Sequence, residues 1–396
     1  MKKIFIISFI LLIITSGCNQ NASTPESIKI GAVYPQTGED KIYGLLEGNA
    51  YILAAEEINK KGGINGKQIE LINKDDFSSP EIAGEVTKEL IEKEQVIAVV
   101  GSFASSSTLK MAEICKDLKT PLICSSGAAD EITGKGNEWV FRACAPSRYY
   151  SITVIDYLLK KYPPKTIAIL YEGGFFGTTA CAYLKKYSAE KKINLIIEEK
   201  YTKGMLNFKP ILEKIKEKNP DLLYIIAYKG DSSLLMKQAR ELKVNPKIFV
   251  GAGIGFTDPE FIPSAGKDAE YILIVNQWNK NANLPGSEEF VSKYKEKFNY
   301  EPDYHAAFAY AAFTVLSDSI KRAAGENRES LKKSLKETDM DTVIGRVRFE
   351  DYDGFTNQNK HKTIVMQIQK GEFIPVYPSE ISKGKALLPV PLWSER

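Results

Sequence analysis

The repeated alternation of short apolar runs with segments of helical periodicity constrains the fold of this chain more than any other feature. Ile28–Tyr34 is a run of β type, and helically spaced apolar residues follow it up to the turn at Gly62. Val96–Val100 is apolar at every position, which is typical of a parallel strand buried on both faces. The same alternation restarts at Thr166 and continues to Asn276. It predicts an α/β protein built from two doubly wound parallel sheets.

The chain continues well beyond the second alternating half. A polar stretch over residues 279–287 leads to a helix with Phe308 on its apolar face. We expect a hairpin-like pair of strands between Val347–Phe349 and Thr363–Gln369. Helical material that comes so late must dock on a lobe already built, so a lobe is expected to combine two separated segments. Two lobes joined by crossing strands imply a cleft between them.

Composition and charge exclude several classes of function. The 396 residues are 43% hydrophobic and 26% charged, which suits two globular lobes. The 53 basic and 50 acidic residues give a net charge of +3, which is too small to create the positive electrostatic potential that attracts nucleic acid. Neither of the two histidines, His305 and His361, has a Cys or His partner at metal-site spacing. We therefore expect no metal site and no cofactor.

The N-terminus carries a targeting signal. Two lysines precede the apolar run Ile4–Ile14, which is shorter than the roughly 20 residues of a spanning helix. Small residues then lead into Cys18, and this pattern resembles the lipobox of bacterial lipoprotein precursors. The resemblance implies a signal peptide over residues 1–17, a lipid on Cys18, and a tether over residues 18–26.

Four cysteines remain after the lipobox. In an oxidising compartment they allow three pairings, and Cys-x-x-Cys spacing is absent. Buried free thiols are favoured because two of the four lie in strand-like runs. The four residues are Cys115, Cys124, Cys144 and Cys181.

Two loops offer an anion site at the expected crevice. Ser102–Thr108 follows a buried strand and opens a helix, so its N–H groups and hydroxyls suit a carboxylate. Helix capping is the alternative role for these serines. The companion loop Ser125–Asp130 contains Gly127, which allows close backbone approach.

Aromatic residues recur near the ends of the predicted strands. In a crevice they would wall off an apolar side chain, and otherwise they belong to the core. They are Tyr34, Tyr43, Tyr149, Tyr150, Phe176, Tyr228 and Trp278.

Catalytic motifs are incomplete. A Gly-x-Ser-x-Gly elbow is absent, and Gly253–Gly255 lacks the third glycine of a dinucleotide loop. The glycine-rich turn at residues 173–177 is not followed by Gly-Lys-Ser/Thr. We therefore expect a protein that is not an enzyme.

Four segments together resemble the branched-chain amino-acid binding proteins, the extracytoplasmic solute receptors of ABC importers. The resemblance implies a type I periplasmic-binding fold with hinge strands between its lobes. It places the N-terminal lobe at residues 27–145 plus 278–350 and the C-terminal lobe at 146–277 plus 351–380, followed by a tail at 381–396. The matching segments are Ile28–Ala32, Ala54–Gly66, Val100–Thr108 and Ala306–Tyr310.

The resemblance also assigns a binding site. It places the backbone of Ser126 and Gly127 at the ligand carboxylate, beside the anion site expected at Ser105, with Ala128 standing where well-known members have threonine. It places Tyr43, Phe176 and Tyr228 around the ligand, and Trp278 is a further candidate for the wall.

Gly253 stands where amino-acid binders usually have the acid that pairs with the ligand ammonium. Asp130, Glu172 and Asp231 are the candidate replacements. The ligand is therefore left open between an amino acid, an amide and a small organic acid.

These features together predict a lipid-anchored solute-binding protein on the outer side of the cytoplasmic membrane or in the periplasm. It would capture a small ligand, a branched-chain amino acid in the main interpretation, and deliver it to an ABC permease. A receptor or sensor domain of the same fold is the alternative.

Overall fold

The computed structural model describes residues 27–396 apart from 135, 229, 259, 281–283 and 324–326. The expected signal peptide, the tether and the lipid site Cys18 lie outside the described residues. Of the helices in the described part, none has both the length and the apolar character needed to cross a membrane.

In the described part of the chain, the first lobe is built on a sheet of eight strands. The sheet has the spatial order β11-β12-β13-β5-β4-β3-β1-β2 once its strands are numbered along the chain. The strands are β1 (Ile28–Tyr34), β2 (Ile69–Asp75), β3 (Ala98–Gly101), β4 (Leu122–Cys124), β5 (Val140–Arg142), β11 (Asp339–Thr342), β12 (Gly345–Tyr352) and β13 (Phe355–Asn359). The strands β1 to β5 are parallel, and β13 joins β5 in parallel. All four residues of β3 are buried, in agreement with its continuous apolar sequence.

Seven helices of the described residues cover this sheet. The late helix α12 packs on the early helix α1, and Asp303 begins it by accepting hydrogen bonds from the amides of His305 and Ala306. The helices are α1 (Lys41–Lys60), α2 (Pro80–Glu92), α3 (Ser105–Asp117), α4 (Glu131–Gly134), α11 (Ser287–Phe298), α12 (Tyr304–Arg322) and α13 (Arg328–Lys336). The first lobe therefore combines two separated segments, because its core is completed by the alanine-rich face of α12.

The second lobe has a sheet of seven strands within the described residues. Its spatial order is β15-β14-β10-β9-β8-β6-β7, and β14 is antiparallel to both of its neighbours, β10 and β15. The strands are β6 (Thr166–Glu172), β7 (Asn194–Tyr201), β8 (Leu222–Ile226), β9 (Ile248–Ala252), β10 (Leu273–Asn276), β14 (Ile364–Gln369) and β15 (Glu372–Tyr377). Its helices are α5 (Ser147–Lys161), α6 (Phe175–Glu190), α7 (Lys209–Lys218), α8 (Asp231–Glu241), α9 (Ile254–Thr257) and α10 (Phe261–Ala265), with short 3-10 turns at Gly266–Ala269 and Trp393–Glu395.

The expected hairpin between Val347–Phe349 and Thr363–Gln369 is wrong. The first run lies in β12, which pairs with β11 and β13 in the first sheet. The second run forms β14 in the other sheet. A two-residue turn at Asp353 and Gly354, with φ of 50° and 82°, connects β12 to β13. Positive φ at both positions is the type I′ geometry that Asp-Gly favours, so the dipeptide was a hairpin signal in the sequence.

This hairpin also corrects the expected boundary between the lobes. The family resemblance implies that residues 351–380 belong to the C-terminal lobe, but β13 pairs with β5 of the first sheet. The chain therefore crosses back after Asn359 rather than after Glu350. The tail beyond 380 packs on the second lobe, where the Trp393 indole N–H donates to the Val244 carbonyl at 2.6 Å.

Gln277 ties together the three segments that cross between the lobes. The side chain is buried, and its Oε1 accepts from the Ala145 amide of the first crossing at 2.5 Å. Its own carbonyl lies 2.6 Å from Nε2 of His361 on the third crossing. The hinge is thus a hydrogen-bonded unit, in which Gln277 also reaches the Tyr150 hydroxyl.

The four cysteines of the described residues are buried free thiols. Cys124 ends β4 and Cys144 lies two residues after the neighbouring strand β5, and both thiols donate to the Gly127 carbonyl, at 3.4 and 3.3 Å.

Candidate functional site

A cavity of about 220 Å³ lies between the two lobes. This volume is below the roughly 300–1,000 Å³ of sites for drug-sized molecules, so it suits a small metabolite. The first lobe contributes Glu39, Asp40, Ser78, Phe103, Ala104, Ser105, Ser106, Ser126, Ala128, Tyr304 and His305 to its wall. The second lobe contributes Tyr150, Glu172, Gly174, Phe175, Phe176, Lys203, Tyr228, Gly253, Ile254 and Thr257.

Hydroxyl groups of two loops meet at the first-lobe side of the cavity. Ser105 Oγ accepts hydrogen bonds from the amides of Ala128 and Ala129, both at 3.1 Å, which leaves its own proton for another acceptor. Ala104 is the N-cap residue of α3 and no side chain caps this helix, so capping does not explain the serines. Ser126 Oγ is buried and has no hydrogen-bond partner among the described residues. The two hydroxyls suit a carboxylate.

Arg142 anchors the second of these loops from behind. The guanidinium is fully buried, and its Nη1 donates to the carbonyl oxygens of Ala129 and Gly127, at 2.5 and 3.4 Å. The Gly127 carbonyl therefore points away from the cavity, and Gly127 is not part of the wall. A Cβ at Gly127 would approach Thr108 Oγ1 to 2.7 Å, so this position needs glycine for packing rather than for ligand approach.

Among the described residues, a second polar cluster in the wall consists of three carboxyl groups, those of Glu39, Asp40 and Glu172, and the ammonium group of Lys203. Lys203 Nζ lies 3.1 Å from Glu39 and 3.9 Å from Asp40 across the cleft. Burial raises the pKa of Asp40, and the positive charge of Lys203 opposes that shift. Burial likewise raises the pKa of Glu172, although the Gly174 amide donates to its Oε1 at 2.6 Å. A positively charged group of a ligand in the cavity would stabilise the ionised forms of Asp40 and Glu172 and so offset the cost of burying them.

Aromatic and aliphatic side chains complete the wall. Phe103 of the first lobe and Phe176, Tyr228 and Ile254 of the second present apolar surface to the cavity. The Lys203 ammonium lies 4.6 Å from the centre of the Tyr228 ring, so that ring is held by a cation–π contact.

Two predicted wall residues lie elsewhere. Tyr43 stacks on Phe103 with 4.8 Å between ring centres, and its hydroxyl donates to Asp258 Oδ2 of the second lobe at 3.3 Å. Trp278 is buried beside Phe290, and its indole N–H donates to the Val343 carbonyl at 3.0 Å. Tyr43 is thus a contact between lobes, and Trp278 belongs to the first-lobe core.

Gly253 lines the cavity at a φ of +83°. A side chain there would be strained, and a Cβ would lie 2.9 Å from the Ala227 carbonyl oxygen. Of the three candidate replacement acids, Glu172 lies in the wall, whereas Asp130 pairs with Arg148 at 2.5 Å and Asp231 accepts from the Gly204 amide at 3.1 Å. The structure thus brings together Ser105, Ser126, Ala128, Phe176, Tyr228 and Gly253 and leaves out Gly127, Tyr43 and Trp278.

Sequence reasoning missed several wall residues. His305 had a local signal, since Asp303 two residues earlier begins α12 and binds His305 Nδ1 at 2.6 Å. Asp40 and Lys203 had none, because they come from loops that meet only when the lobes approach each other. Phe103 lay inside the predicted serine loop without being singled out.

Comparison with known proteins shows which family has this sequence and architecture. A family model described as a periplasmic binding protein matches residues 27–372. The chain belongs to this family. A relative of this periplasmic binding protein, the "Leu/Ile/Val-binding protein homolog 7" of Brucella melitensis, is 28% identical over 93% of this chain and 96% of its own length.

Solved structures of similar proteins share the two-lobed architecture. The branched-chain amino acid transporter substrate-binding protein LivJ of Streptococcus pneumoniae, solved with isoleucine, has a TM-score of 0.78 at 26% identity over 88% of this chain and 98% of its own. A solute-binding protein from Rhodopseudomonas palustris, solved with 3,4-dihydroxybenzoic acid, has a TM-score of 0.77 at 23% identity over 91% and 98%. The family resemblance and the α/β fold predicted from sequence are confirmed.

Proposed function

We propose that this periplasmic binding protein captures a small amino acid with an aliphatic side chain in the cleft and passes it to the permease of an ABC importer. The observation that carries the proposal is the composition of the cavity wall. It pairs the Ser105 and Ser126 hydroxyls with the carboxyl groups of Asp40 and Glu172 across apolar surface.

Each part of the wall matches one group of an amino acid. The two hydroxyls suit the carboxylate, and the charge-assisted hydrogen bonds they would form are worth about 1.5–3 kcal/mol each. Asp40 and Glu172 suit the ammonium. They would replace the acid that amino-acid binders usually have at the position of Gly253. Phe103, which lines the cavity, suits the aliphatic side chain.

Calorimetry of the mature chain with leucine, isoleucine and valine tests the proposal. We expect binding, and we expect Glu172→Gln to weaken it about tenfold or more, because the variant removes a charged partner of the ammonium. The matched control is the keto acid of leucine, which lacks the ammonium, so wild type and variant should bind it equally. Absence of binding to all three amino acids would contradict the proposal.

A carboxylic acid without an ammonium group is the second candidate ligand. The positive φ of Gly253, at which an acidic side chain would be strained, favours it, and the Rhodopseudomonas palustris neighbour was solved with such an acid. Binding of aromatic or aliphatic acids, with no effect of Glu172→Gln, would select this candidate.

We also propose that the chain is anchored by lipid on Cys18 outside the cytoplasmic membrane. The support is the lysine pair, the short apolar run and the small residues before Cys18. Loss of membrane association in the Cys18→Ser precursor, with the protein still exported, is the expected result, and unchanged association would contradict it.

A further inference from the structure

An acid without a partner lies behind the hydroxyl end of the cavity. Glu47 on α1 is fully buried, and neither of its carboxyl oxygens has a hydrogen-bond partner among the described residues. Ser126 is in the cavity wall, and its buried Oγ also has no partner in the described part of the chain. Buried polar atoms are almost always hydrogen-bonded, so two such groups side by side indicate a hydrogen bond between them.

The packing of α1 places Glu47 beside Ser126. Tyr51, one helical turn after Glu47, has its hydroxyl 2.8 Å from Ser125 Oγ. Residues four apart share a face of a helix, so Glu47 faces the same loop as Tyr51. Ser126 follows Ser125 in that loop, and its hydroxyl partly opposes the rise that burial causes in the pKa of Glu47.

The surroundings of Glu47 favour its neutral form. Burial raises its pKa well above the ordinary value. The titratable groups that face it are acidic or uncharged, and Asp303 is already paired with His305. An ionised carboxylate there would be a buried charge without a partner, which costs several kcal/mol. The groups are Tyr51 on α1, Asp76 after β2, Cys124 on β4, Cys144 after β5, and Asp303 before α12.

We propose that Glu47, as a neutral carboxylic acid, donates a hydrogen bond to Ser126 Oγ and thereby directs the Ser126 proton toward the ligand carboxylate. Glu47 is then a positioning residue that sets the preference of this end of the cavity for an anion. An ionised Glu47 would instead accept the Ser126 proton and repel the ligand. The inference deepens the proposed function and rests on it for the identity of the ligand.

A first experiment needs no ligand. Infrared difference spectra between wild type and Glu47→Gln are recorded on the ligand-free chain at neutral pH. We expect the difference to contain the band of a protonated carboxylic acid. A difference that contains carboxylate bands instead would overturn the proposal, whether or not the protein binds amino acids.

A second experiment measures binding. Glu47→Gln retains a donor for Ser126, so its affinity for the amino acid should stay within about twofold of wild type. Glu47→Met has similar length without a donor and should bind about five- to tenfold more weakly. Thermal unfolding establishes that both variants fold. A Gln variant as weak as the Met variant, or a Met variant as tight as wild type, would overturn the proposal.

The dependence of ligand affinity on pH distinguishes a positioning role of the Glu47 proton from a role of Glu47 in packing alone. Affinity of the wild type should fall at alkaline pH as Glu47 ionises, and Glu47→Gln should fall less, since the ligand amino group titrates equally with both proteins. Identical profiles would contradict a role for the Glu47 proton. Failure of the wild type to bind any amino acid, with the protonated acid still detected, would instead reject the proposed ligand.

Discussion

Ser105 is the side chain that joins the two loops at the hydroxyl end of the cavity. Its Oγ accepts from two amides of the neighbouring loop while its proton stays available. Glu47 acts on the same end from behind, through Ser126. The proposed anion site is therefore a set of coupled hydroxyls and amides rather than a single donor.

We predict that Ser105→Ala weakens a carboxylate ligand about tenfold, because one donor is lost and two loop amides lose their acceptor. Calorimetry with the cognate ligand measures the change. Ser107→Ala is the matched control, since Ser107 is buried on the same helix outside the cavity wall. Equal affinities for wild type and Ser105→Ala would place the carboxylate elsewhere.

At the scale of elements, the crossing segments form the hinge. His361 of the third crossing lies 2.6 Å from the Gln277 carbonyl and contacts the edge of Phe308 of α12. Burial lowers the pKa of His361 to about 4. Below its unfolded pKa of about 6.5, the unfolded chain binds a proton that the folded chain excludes.

The resulting stability is fully present above about pH 6.5 and is lost as the pH falls toward 4. We predict that His361→Gln removes about 1–3 kcal/mol of this pH-dependent loss. Urea unfolding of both proteins across this range measures it. Parallel curves for the two proteins would show that His361 is not buried in its neutral form.

At the scale of the whole molecule, the lobes are in contact across the cleft. The Lys203–Glu39 ion pair and the Tyr43–Asp258 hydrogen bond each join one lobe to the other. Both contacts stabilise the closed arrangement of the lobes, and Tyr43 does so from outside the cavity wall. Closure of two lobes on a ligand is a hinge motion.

We predict that Lys203→Met raises the dissociation rate of the ligand by up to about fivefold, because a partly exposed ion pair contributes about 0.2–1 kcal/mol. Tyr43→Phe should raise it by up to about tenfold, because the buried hydrogen bond that it removes contributes about 0.5–1.5 kcal/mol. Stopped-flow dissociation measures the rate, and X-ray scattering measures closure. Lys110→Met is the control, since the Lys110–Glu113 pair lies within one helix. An unchanged rate in Tyr43→Phe would mean that its hydroxyl does not stabilise the closed form.

The strand and helix pattern was predictable from sequence because its causes are local. The buried run of β3, the amphipathic helices and the serine turn before α3 all follow from the spacing of neighbouring residues. The hairpin at Asp353 and Gly354 was missed although the dipeptide signals it, because the boundary taken from the family resemblance cut through it.

The α/β class and the family could be predicted from the sequence alone, which also located the serine-rich segment after β3. Which side chains face the cavity followed from the tertiary structure. Lys203 meets Glu39, and Glu47 meets Ser126, through the docking of elements that are distant in the chain. Periodicity reports which face of an element is buried but not what it is buried against, so these pairings follow from packing and from the approach of the two lobes.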